Sequence, residues 1–355
     1  MTTIAELHDR ARQRLVPEYY DYFAGGAADE TALADNERAF RRLALMPRVL
    51  RGRADRDISV ELPGARASMP VVVAPTAFHR LAHPDGELAT ARAAAAAGTV
   101  LIASMAATVG VGEMAAAARA VDPGAALWFQ LYLQSDTRVT ETLVRRATDA
   151  GCSALVVTVD SPVFGRHERD RRNGFADLPA GFAAENMRDL PGGRRNIEMT
   201  PMSWEHLDRL RASTSLPVLL KGILHPEDAH LAIERGADGI VVSNHGGRQL
   251  DAVPASIDAL PRIAEVAGGR VPVLLDGGVR RGSDVAIALA LGAVAVGVGR
   301  PVIWGLAADG ELGVRQVLEL LREEFDHTLA LCGGQGPADL TRDLVTVRGP
   351  EGGKW

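Results

Sequence analysis

Eight short runs of apolar residues recur from residue 69 onward, and most are separated by alanine-rich stretches with helical spacing. Six of the seven spacings from the start of one run to the start of the next are about 20 to 35 residues, the length of one strand–helix unit. The runs are 71–74, 100–104, 127–133, 154–160, 218–222, 239–243, 273–276 and 293–299. Runs rich in Val, Ile and Leu without alternation are typical of parallel strands that are buried on both faces. Eight such units predict an α/β fold, a (β/α)8 TIM barrel, with a doubly wound open sheet as the second choice.

The segments outside the eight strand–helix units are predicted to be additions to one domain that spans residues 1–355. Residues 1–68 form a leader, interpreted as a lid or plug, with one or two helices over 3–24 that end at Gly25 and Gly26 and a hairpin over 58–67. The barrel is expected over 69–308. About 55 residues separate the fourth and fifth runs, so an insertion over 161–216 is predicted to be a mobile substrate loop on the catalytic face.

The end of the chain predicts one more helix. Residues 306–331 have helical spacing, Gly333 and Gly334 follow as a helix end, and the C-terminal helix is assigned to 309–332. The tail 350–355 is predicted to be disordered.

Composition excludes several classes of function. The 355 residues carry a net charge of −6, and the arginine pairs lie among acidic residues, so no nucleic-acid partner is expected. Cys152 and Cys332 are the only cysteines, too few for a disulfide framework or a thiolate metal site, and no metal is expected. The sequence has neither a signal-peptide pattern nor an apolar run of membrane-spanning length, which predicts a cytoplasmic protein without a membrane partner.

The segment 239–251 combines a buried strand with two reactive side chains. Its apolar run is followed by His245, two glycines and Arg248. Histidine can take a proton near neutral pH, and arginine can hold a carboxylate through two parallel hydrogen bonds. This combination predicts chemistry on a small organic acid, whereas the alternative is a strand followed by a polar turn.

In a parallel barrel the residues at the carboxyl ends of all strands meet in one site. After strands seven and eight, the glycines 277, 278, 297 and 299 with Arg280 and Arg300 predict a phosphate cradle, or else tight turns with surface arginines. Further residues at the strand ends are Pro75, Thr76, Ala77, Ser104, Gln130, Thr158 and Asp276. Thr76, Ser104, Gln130 and Thr158 present neutral donors and acceptors that suit the edge of a flat heterocycle. Lys221 adds a positive charge that could stabilise an anionic cofactor, form a Schiff base or make a structural salt bridge.

Eight motifs support an acid–base centre and a family resemblance. Ser-Asn-His-Gly-Gly-Arg-Gln-Leu-Asp at 243–251 resembles the signature of the FMN-dependent L-2-hydroxy acid oxidase and dehydrogenase family. Further similarities are Tyr-Asp-Tyr-Phe-Ala-Gly-Gly-Ala at 20–27, Ala-Pro-Thr-Ala at 74–77, His-Pro-Asp-Gly-Glu at 83–87, Phe-Gln-Leu-Tyr at 129–132, Thr-Val-Asp at 158–160, Leu-Lys-Gly at 220–222 and Leu-Asp-Gly-Gly-Val-Arg-Arg-Gly at 275–282. The resemblance extends from about residue 15 to about residue 331.

The resemblance implies an enzyme that oxidises an (S)-2-hydroxy acid to the 2-oxo acid on bound FMN. It implies His245 as the base, Asp160 as its partner, Tyr22 and Arg248 as carboxylate anchors, and Tyr132 as the contact of the substrate hydroxyl. Lys221 would face the flavin. The cofactor is expected to lie among Pro75, Thr76, Ala77, Ser104, Gln130, Thr158, Lys221, Ser243, Asp276, Gly278, Arg280, Gly299 and Arg300.

Two positions depart from the family pattern. The family usually has an arginine seven residues after the aspartate, where this chain has His167 next to Arg166, so carboxylate binding is expected to be weaker, pH-dependent or taken over by Arg166. Ala106 stands where plant glycolate oxidases have a tryptophan, which leaves room for a larger, aromatic substrate unless Met105 or Phe78 fills it. His167 and Ala106 are both expected to contact the substrate.

The electron acceptor and the assembly are less constrained by sequence. Oxygen is the expected acceptor, with peroxide as the product, and another acceptor is the alternative for an aromatic, mandelate-type substrate. A homo-oligomer, a tetramer or an octamer, is expected from the resemblance. The other hypotheses are an aldolase that uses Lys221 as a Schiff-base nucleophile, and a catalytically idle flavin- or phosphate-binding protein.

Overall fold

The leader before the barrel contains three helices and three short strands in this computed structural model, which describes residues 3–52, 55–193 and 197–348. They are α1 Ile4–Arg14, α2 Pro17–Ala24, α3 Thr31–Arg41, β1 Leu43–Leu45, β2 Val60–Leu62 and β3 Ala65–Ala67. The predicted helices over 3–24 and the predicted hairpin, formed by β2 and β3, are confirmed. The tail 350–355, predicted to be disordered, lies outside the described residues.

Eight parallel strands close into a barrel, which confirms the predicted fold class and excludes the open sheet. They are β4 Val71–Val73, β5 Leu101–Ser104, β6 Leu127–Leu131, β7 Ala154–Thr158, β8 Val218–Ile223, β9 Gly239–Val242, β10 Val273–Asp276 and β11 Ala295–Val298. Each pairs with its neighbours in chain order, and β11 pairs with β4.

Helices cover the outside of the barrel. They are α4 Gly86–Ala96, α5 Val111–Val121, α6 Thr137–Asp149, α7 Glu168–Arg172, α8 Trp204–Ala212, α9 Pro226–Glu234, α10 Ser256–Ala267, α11 Gly282–Ala290 and α12 Arg300–Leu331, and the strand β12 Val345–Val347 then pairs with β1. Within the described part of the chain, no helix is long and apolar enough to cross a membrane. The insertion after β7 contains α7, α8 and two single-turn 3₁₀ helices.

Four predicted element limits were wrong. The runs 127–133 and 154–160 extend two residues beyond the carboxyl ends of their strands, where the chain turns out of the ladder into loops, and the run 293–299 extends beyond both ends of its strand. The last helix begins at Arg300, and not at residue 306, with non-helical backbone at Asp309 and Gly310. Arg10 of α1 forms an ion pair with Asp309 at 2.7 Å, so the leader contacts this break. The predicted helix end is confirmed, since Cys332 caps α12 and Gly333 has a φ of 76°.

The interior of the barrel is filled by one side chain in every two along each strand. The lower, inward positions are apolar and include Val72, Ile102, Trp128, Val156, Leu219, Val241 and Leu274. Leu62 and Ala67 of the hairpin pack in the same cluster, and the turn residue Gly64 lies against the main chain of Ser153, just before β7. The hairpin therefore plugs the amino-terminal end of the barrel, while α2 lies at the other end, so the leader serves both ends.

Candidate active site

A cavity of about 1220 Å³ opens at the carboxyl ends of the strands. Inward positions recur every two residues, and on six of the eight strands the one that follows the apolar layer is polar: Ile102 is followed by Ser104, Trp128 by Gln130, Val156 by Thr158, Leu219 by Lys221, Val241 by Ser243 and Leu274 by Asp276. Of the predicted site residues, all line this cavity except Asp160 and Ser243. Asp160 and Ser243 form hydrogen bonds with lining residues, Asp160 with His245 and Ser243 with Lys221.

Neutral side chains on β5, β6 and β7 form one hydrogen-bonded row. The Oγ of Ser104 donates to Oε1 of Gln130 at 3.3 Å, and Nε2 of Gln130 donates to Oγ1 of Thr158 at 3.0 Å. All three residues are buried. The row fixes the orientation of the Gln130 amide and presents uncharged donors and acceptors to a ligand, as the sequence predicted for a heterocycle edge.

Lys221 is a buried cation with two partners. Its Nζ lies 3.2 Å from Oδ2 of Asp276 and donates to Oγ of Ser243 at 3.0 Å. An amine held by a carboxylate and a hydroxyl is not free for the nucleophilic attack that a Schiff base requires. The predicted structural salt bridge is therefore present, but it lies inside the cavity, where it also supplies a positive charge.

His245 and Asp160 form the acid–base pair that the sequence predicted. Nδ1 of His245 lies 2.9 Å from Oδ1 of Asp160, which also accepts a hydrogen bond from Oγ of Ser161. His245 has a φ of 59°, a left-handed conformation that is uncommon for a residue with a side chain and is often found at functional sites. Its backbone N–H donates to Oγ of Ser243 at 3.0 Å. Asp160 thus orients the ring, and Nε2 remains for a ligand in the cavity.

Asp160 is charged although it is buried. Burial alone would raise the pKa of Asp160, but the attraction and hydrogen bond of His245, the charge of Lys221 and the hydrogen bond of Ser161 together hold the pKa below its usual value. The close approach of β8 is possible because residue 222 is glycine: a Cβ at Gly222 would lie 2.6 Å from Cγ of Asp160. The carboxylate can therefore stabilise a protonated His245.

Two tyrosines line the cavity as neutral phenols. Burial raises the pKa of Tyr22 to about 12, against the lowering effect of Arg248. Burial, and then the charge of Asp160, also raises the pKa of Tyr132. Both hydroxyls therefore keep their protons near neutral pH and can donate hydrogen bonds to substrate oxygen atoms.

Arg248 is held over Tyr22. Its Nη1 donates to the carbonyls of Tyr22 at 2.7 Å and Gly25 at 2.9 Å, and its guanidinium lies 5.1 Å from the centre of the Tyr22 ring. The carboxyl end of α2 thus fixes the guanidinium, and the remaining N–H groups can bind an anion.

The predicted phosphate cradle lines the same cavity. Gly277 and Gly278 have φ values of 97° and 85° in the turn after β10, and Arg280 forms an ion pair with Glu37 at 2.9 Å. Arg300 donates to the carbonyls of Phe23, Gly25 and Gly246. Burial lowers the pKa of Arg300 to about 9, with further lowering by Arg248 and Arg280. This concentration of positive charge favours an anionic ligand, and the surface-arginine alternative does not describe Arg300, which is largely enclosed.

Sequence reasoning missed an apolar roof over the cavity. Six large apolar side chains of the insertion line it: Phe164, Phe175, Leu178, Phe182, Ile197 and Met199. Phe78 also lines it, with a φ of 62°, and its N–H donates to the carbonyl of Ala106 at 3.3 Å. The rings of Phe78 and Phe175 lie 5.6 Å and 5.2 Å from that of Tyr22. Phe78 therefore contributes a wall beside Ala106, and the irregular spacing of the insertion residues gave no periodic signal in the sequence.

The residues present fit a flavin mononucleotide. Oδ1 of Asp276 is buried in the cavity without a hydrogen-bond partner among the described residues, so it can accept from a hydroxyl of a bound ligand such as the ribityl chain. The neutral row, Lys221 and the cradle with Arg280 match a heterocycle, its anionic form and a phosphate.

Comparisons with known proteins agree with this arrangement. The family model for FMN-dependent dehydrogenases matches residues 11–347. Glycolate oxidase 5 of Oryza sativa subsp. japonica is 46% identical over 97% of this chain and 95% of its own length, and glycolate oxidase of Spinacia oleracea is 45% identical over 98% and 96%.

Solved structures of mandelate oxidase are similar along the whole fold. The complex with (S)-2-phenylpropionate has a TM-score of 0.90 and 46% identity, covering 96% of this chain and 97% of the other, and the complex with benzoyl-formic acid gives the same values. The predicted enzyme class and flavin cofactor are confirmed. This chain belongs to the FMN-dependent dehydrogenase family.

Proposed function

We propose that this enzyme oxidises an (S)-2-hydroxy acid to the 2-oxo acid and that oxygen is reduced to hydrogen peroxide. The observation that carries the proposal is the position of His245 and Arg248 on one loop, with the Asp160 carboxylate 2.9 Å from the histidine ring. A base and a carboxylate anchor then face the same cavity, and the flavin-binding residues form its other walls. This arrangement suits removal of two electrons and a proton from a carbon next to a carboxylate.

The carboxylate, the hydroxyl oxygen and the proton that is removed each have a partner among the cavity residues. Arg248 and the Tyr22 hydroxyl hold the carboxylate, and the Tyr132 hydroxyl donates to the substrate oxygen that becomes the carbonyl. His245 takes a proton from the substrate, and Asp160 stabilises the imidazolium that results. His245 can take the α-hydrogen as a proton, with the hydroxyl proton and two electrons lost afterwards, or it can take the hydroxyl proton while the α-hydrogen leaves with its electron pair. Both routes give the 2-oxo acid.

Bound FMN supplies the two-electron acceptor. The residues proposed to hold it are the neutral row of Ser104, Gln130 and Thr158, the strand end 75–77, Ser243 through Lys221, and the phosphate cradle with Gly278, Gly299, Arg280 and Arg300. Lys221 places positive charge where the ring system gains negative charge, which favours electron transfer to the cofactor.

The decisive experiment is anaerobic addition of an (S)-2-hydroxy acid to the purified yellow protein. We expect the flavin absorption to bleach, and an oxidised flavin across glycolate, lactate and mandelate would refute the proposal. The change His245→Ala should abolish bleaching while the flavin stays bound, which separates an enzyme from an idle flavin-binding protein. Borohydride trapping with a keto substrate tests the aldolase alternative. Peroxide formation compared with dye reduction tests oxygen as the acceptor.

The apolar roof favours an aromatic or other bulky substrate side chain as the second candidate, in an enzyme of the mandelate type with oxygen or another acceptor. Phe175, Phe78 and the small Ala106 line the region that would receive it. Steady-state kinetics with glycolate, lactate and (S)-mandelate should show the highest kcat/KM for mandelate. The matched variant Ala106→Trp should lower the value for mandelate far more than that for glycolate.

Assembly, location and chain organisation belong to the same proposal. We place the protein in the cytoplasm as a homotetramer, with an octamer as the alternative, which light scattering after gel filtration will distinguish. Residues 1–355 form one unit of leader 1–68, barrel 69–308 with insertion 161–216, and C-terminal helix 309–332. A single cooperative unfolding transition is expected.

A further inference from the structure

His167 is held on both sides of its ring. Nε2 lies 2.9 Å from the carbonyl oxygen of Arg248, and Nδ1 lies 3.2 Å from Oδ2 of Asp170. A carbonyl oxygen only accepts hydrogen bonds, so Nε2 carries a proton. The other nitrogen faces the Asp170 carboxylate, so both ring nitrogens of His167 have partners in the protein.

The contact between His167 and Arg248 is part of a junction of three segments. Residue 165 approaches the same carbonyl so closely that a Cβ at Gly165 would lie 2.0 Å from the oxygen of Arg248. The leader joins both partners, since the N–H of Ala28 donates to the carbonyl of Arg166 at 2.9 Å and the N–H of Ala27 donates to that of Gly247 at 2.8 Å. The insertion, the leader and the loop after β9 thus share hydrogen bonds.

The side chain and the main chain of Arg248 are fixed by different segments. The leader holds its guanidinium through the carbonyls of Tyr22 and Gly25, whereas the insertion holds its main chain through His167. Asp170 has little exposure, which strengthens its attraction for the ring, and both lie in or beside α7. Without His167, the main chain at Arg248 loses its bond to the insertion.

We propose that His167, held by Asp170, positions Arg248 for the substrate carboxylate. It is a positioning residue that acts through the Arg248 main chain, since both ring nitrogens are bonded to protein. This inference rests on the proposed function, in which Arg248 is the carboxylate anchor. It predicts that loss of His167 weakens carboxylate binding and leaves the chemical step nearly unchanged.

The test uses the holoenzyme with four substitutions: H167A, H167Q, D170N and, as a matched control at an exposed histidine on α9, H230Q. Oxalate serves as a carboxylate probe whose binding is followed by the change in flavin absorption, and kcat and KM are measured with the best (S)-2-hydroxy acid. Ring ¹⁵N chemical shifts of labelled histidines, assigned by comparison with H167Q, report the protonation of His167.

We expect H167A to raise the oxalate Kd and the KM by about tenfold or more, with kcat within about threefold of wild type, because the hydrogen bond that ties the Arg248 main chain to the insertion is lost. H167Q keeps an N–H that can reach the Arg248 carbonyl, so it should recover most of the affinity, and it also serves if H167A does not fold. D170N should change the His167 ring signals and weaken oxalate binding. H230Q should match wild type.

Three results would overturn the inference: His167 ring signals that are the same in the wild type and D170N, unchanged oxalate affinity in H167A, or a loss of kcat in H167A as large as the rise in KM. Oxalate binding and the ring signals need no turnover. If the wild-type flavin is not bleached by any (S)-2-hydroxy acid, the proposed function fails, while the oxalate data still decide the role of His167.

Discussion

The two ends of the barrel use the same strands and the same alternation for opposite purposes. At the amino-terminal end the inward side chains are apolar, Trp128 and Val156 are fully enclosed, and the hairpin plugs the opening. Two residues further along these strands, Gln130 and Thr158 are polar and face a cavity. One step of the strand repeat therefore separates a packed layer from a binding layer.

The two layers differ in how they contribute to the stability of the fold. The apolar layer gains from burial and close packing, whereas the polar layer keeps Lys221, Asp276 and Asp160 away from bulk water, a cost that their mutual contacts oppose. Two carboxylate oxygens of this layer lack hydrogen-bond partners among the described residues. The binding layer is thus expected to tolerate substitution with little loss of stability, and the packed layer with little loss of chemistry.

The largest expected effect is on the chemistry of the binding layer. His245→Asn should lower the rate of anaerobic flavin reduction by about 10²- to 10⁴-fold, because the general base is lost. The temperature of thermal unfolding should change by only a few degrees. Stopped-flow spectroscopy and calorimetry measure the two quantities, and a variant that unfolds before it loses activity would contradict the separation of the two layers.

The packed layer should respond in the opposite way. Trp128→Ala should lower the free energy of unfolding by about 3–5 kcal/mol, because it leaves a cavity in the closed interior. The rate of flavin reduction per bound flavin should stay within a few-fold of wild type. Denaturant titration of this variant and of Trp128→Phe, which fills more of the space, gives the comparison. Equal losses of stability in the two variants would argue against a packing effect.

Acid should act on the binding layer through Asp160. Its pKa is lowered in the folded protein, so its charge contributes stability above the ordinary carboxyl pKa of about 4, and this contribution is lost as the pH falls through the folded value. The free energy of unfolding should therefore decrease more steeply below pH 4 in the wild type than in Asp160→Asn. Parallel curves for the two proteins would show that Asp160 is not stabilised in its charged form.

The smallest effect is expected at the rim, where water screens charge. Arg169 pairs with Asp21 and Glu30 and so joins the insertion to the leader. Because the pair is partly exposed, Arg169→Gln should cost only about 0.2–1 kcal/mol of unfolding free energy. The loss should shrink at high salt. If Arg169→Gln instead lowered the unfolding free energy by several kcal/mol, the rim would contribute strongly to the stability of the fold.

The sequence was sufficient to predict the barrel and most of the cavity lining, because both follow from local rules. Strand spacing predicts the barrel, and strand ends such as those at Lys221 and His245 must meet in a parallel barrel. Helix α3 was not predicted, since its buried face includes Asn36, whose amide bonds Asn244 from a distant segment. The pairing of β1 with β12 also depends on residues about 300 positions apart.

The partners of His167 and the apolar roof could not be predicted from the sequence, because they also depend on contacts between distant segments. The insertion has little regular structure, so no period indicates which of its side chains face inward. Contacts such as that between His167 and the Arg248 carbonyl depend on how two loops meet in space. The roles of the individual site residues stay predictions until variants are measured.

The position of Trp128 gives the molecule an optical reporter. Its indole is enclosed in the barrel, and Gln130, which faces the cavity, stands two residues further along the same strand, a rise of about 7 Å. Indole emission overlaps the near-ultraviolet absorption of an oxidised flavin, so excitation energy should pass from Trp128 to a bound cofactor. Loading of the protein should then quench tryptophan fluorescence, and Trp128→Phe should remove most of that quenching, so that cofactor binding can be followed without turnover.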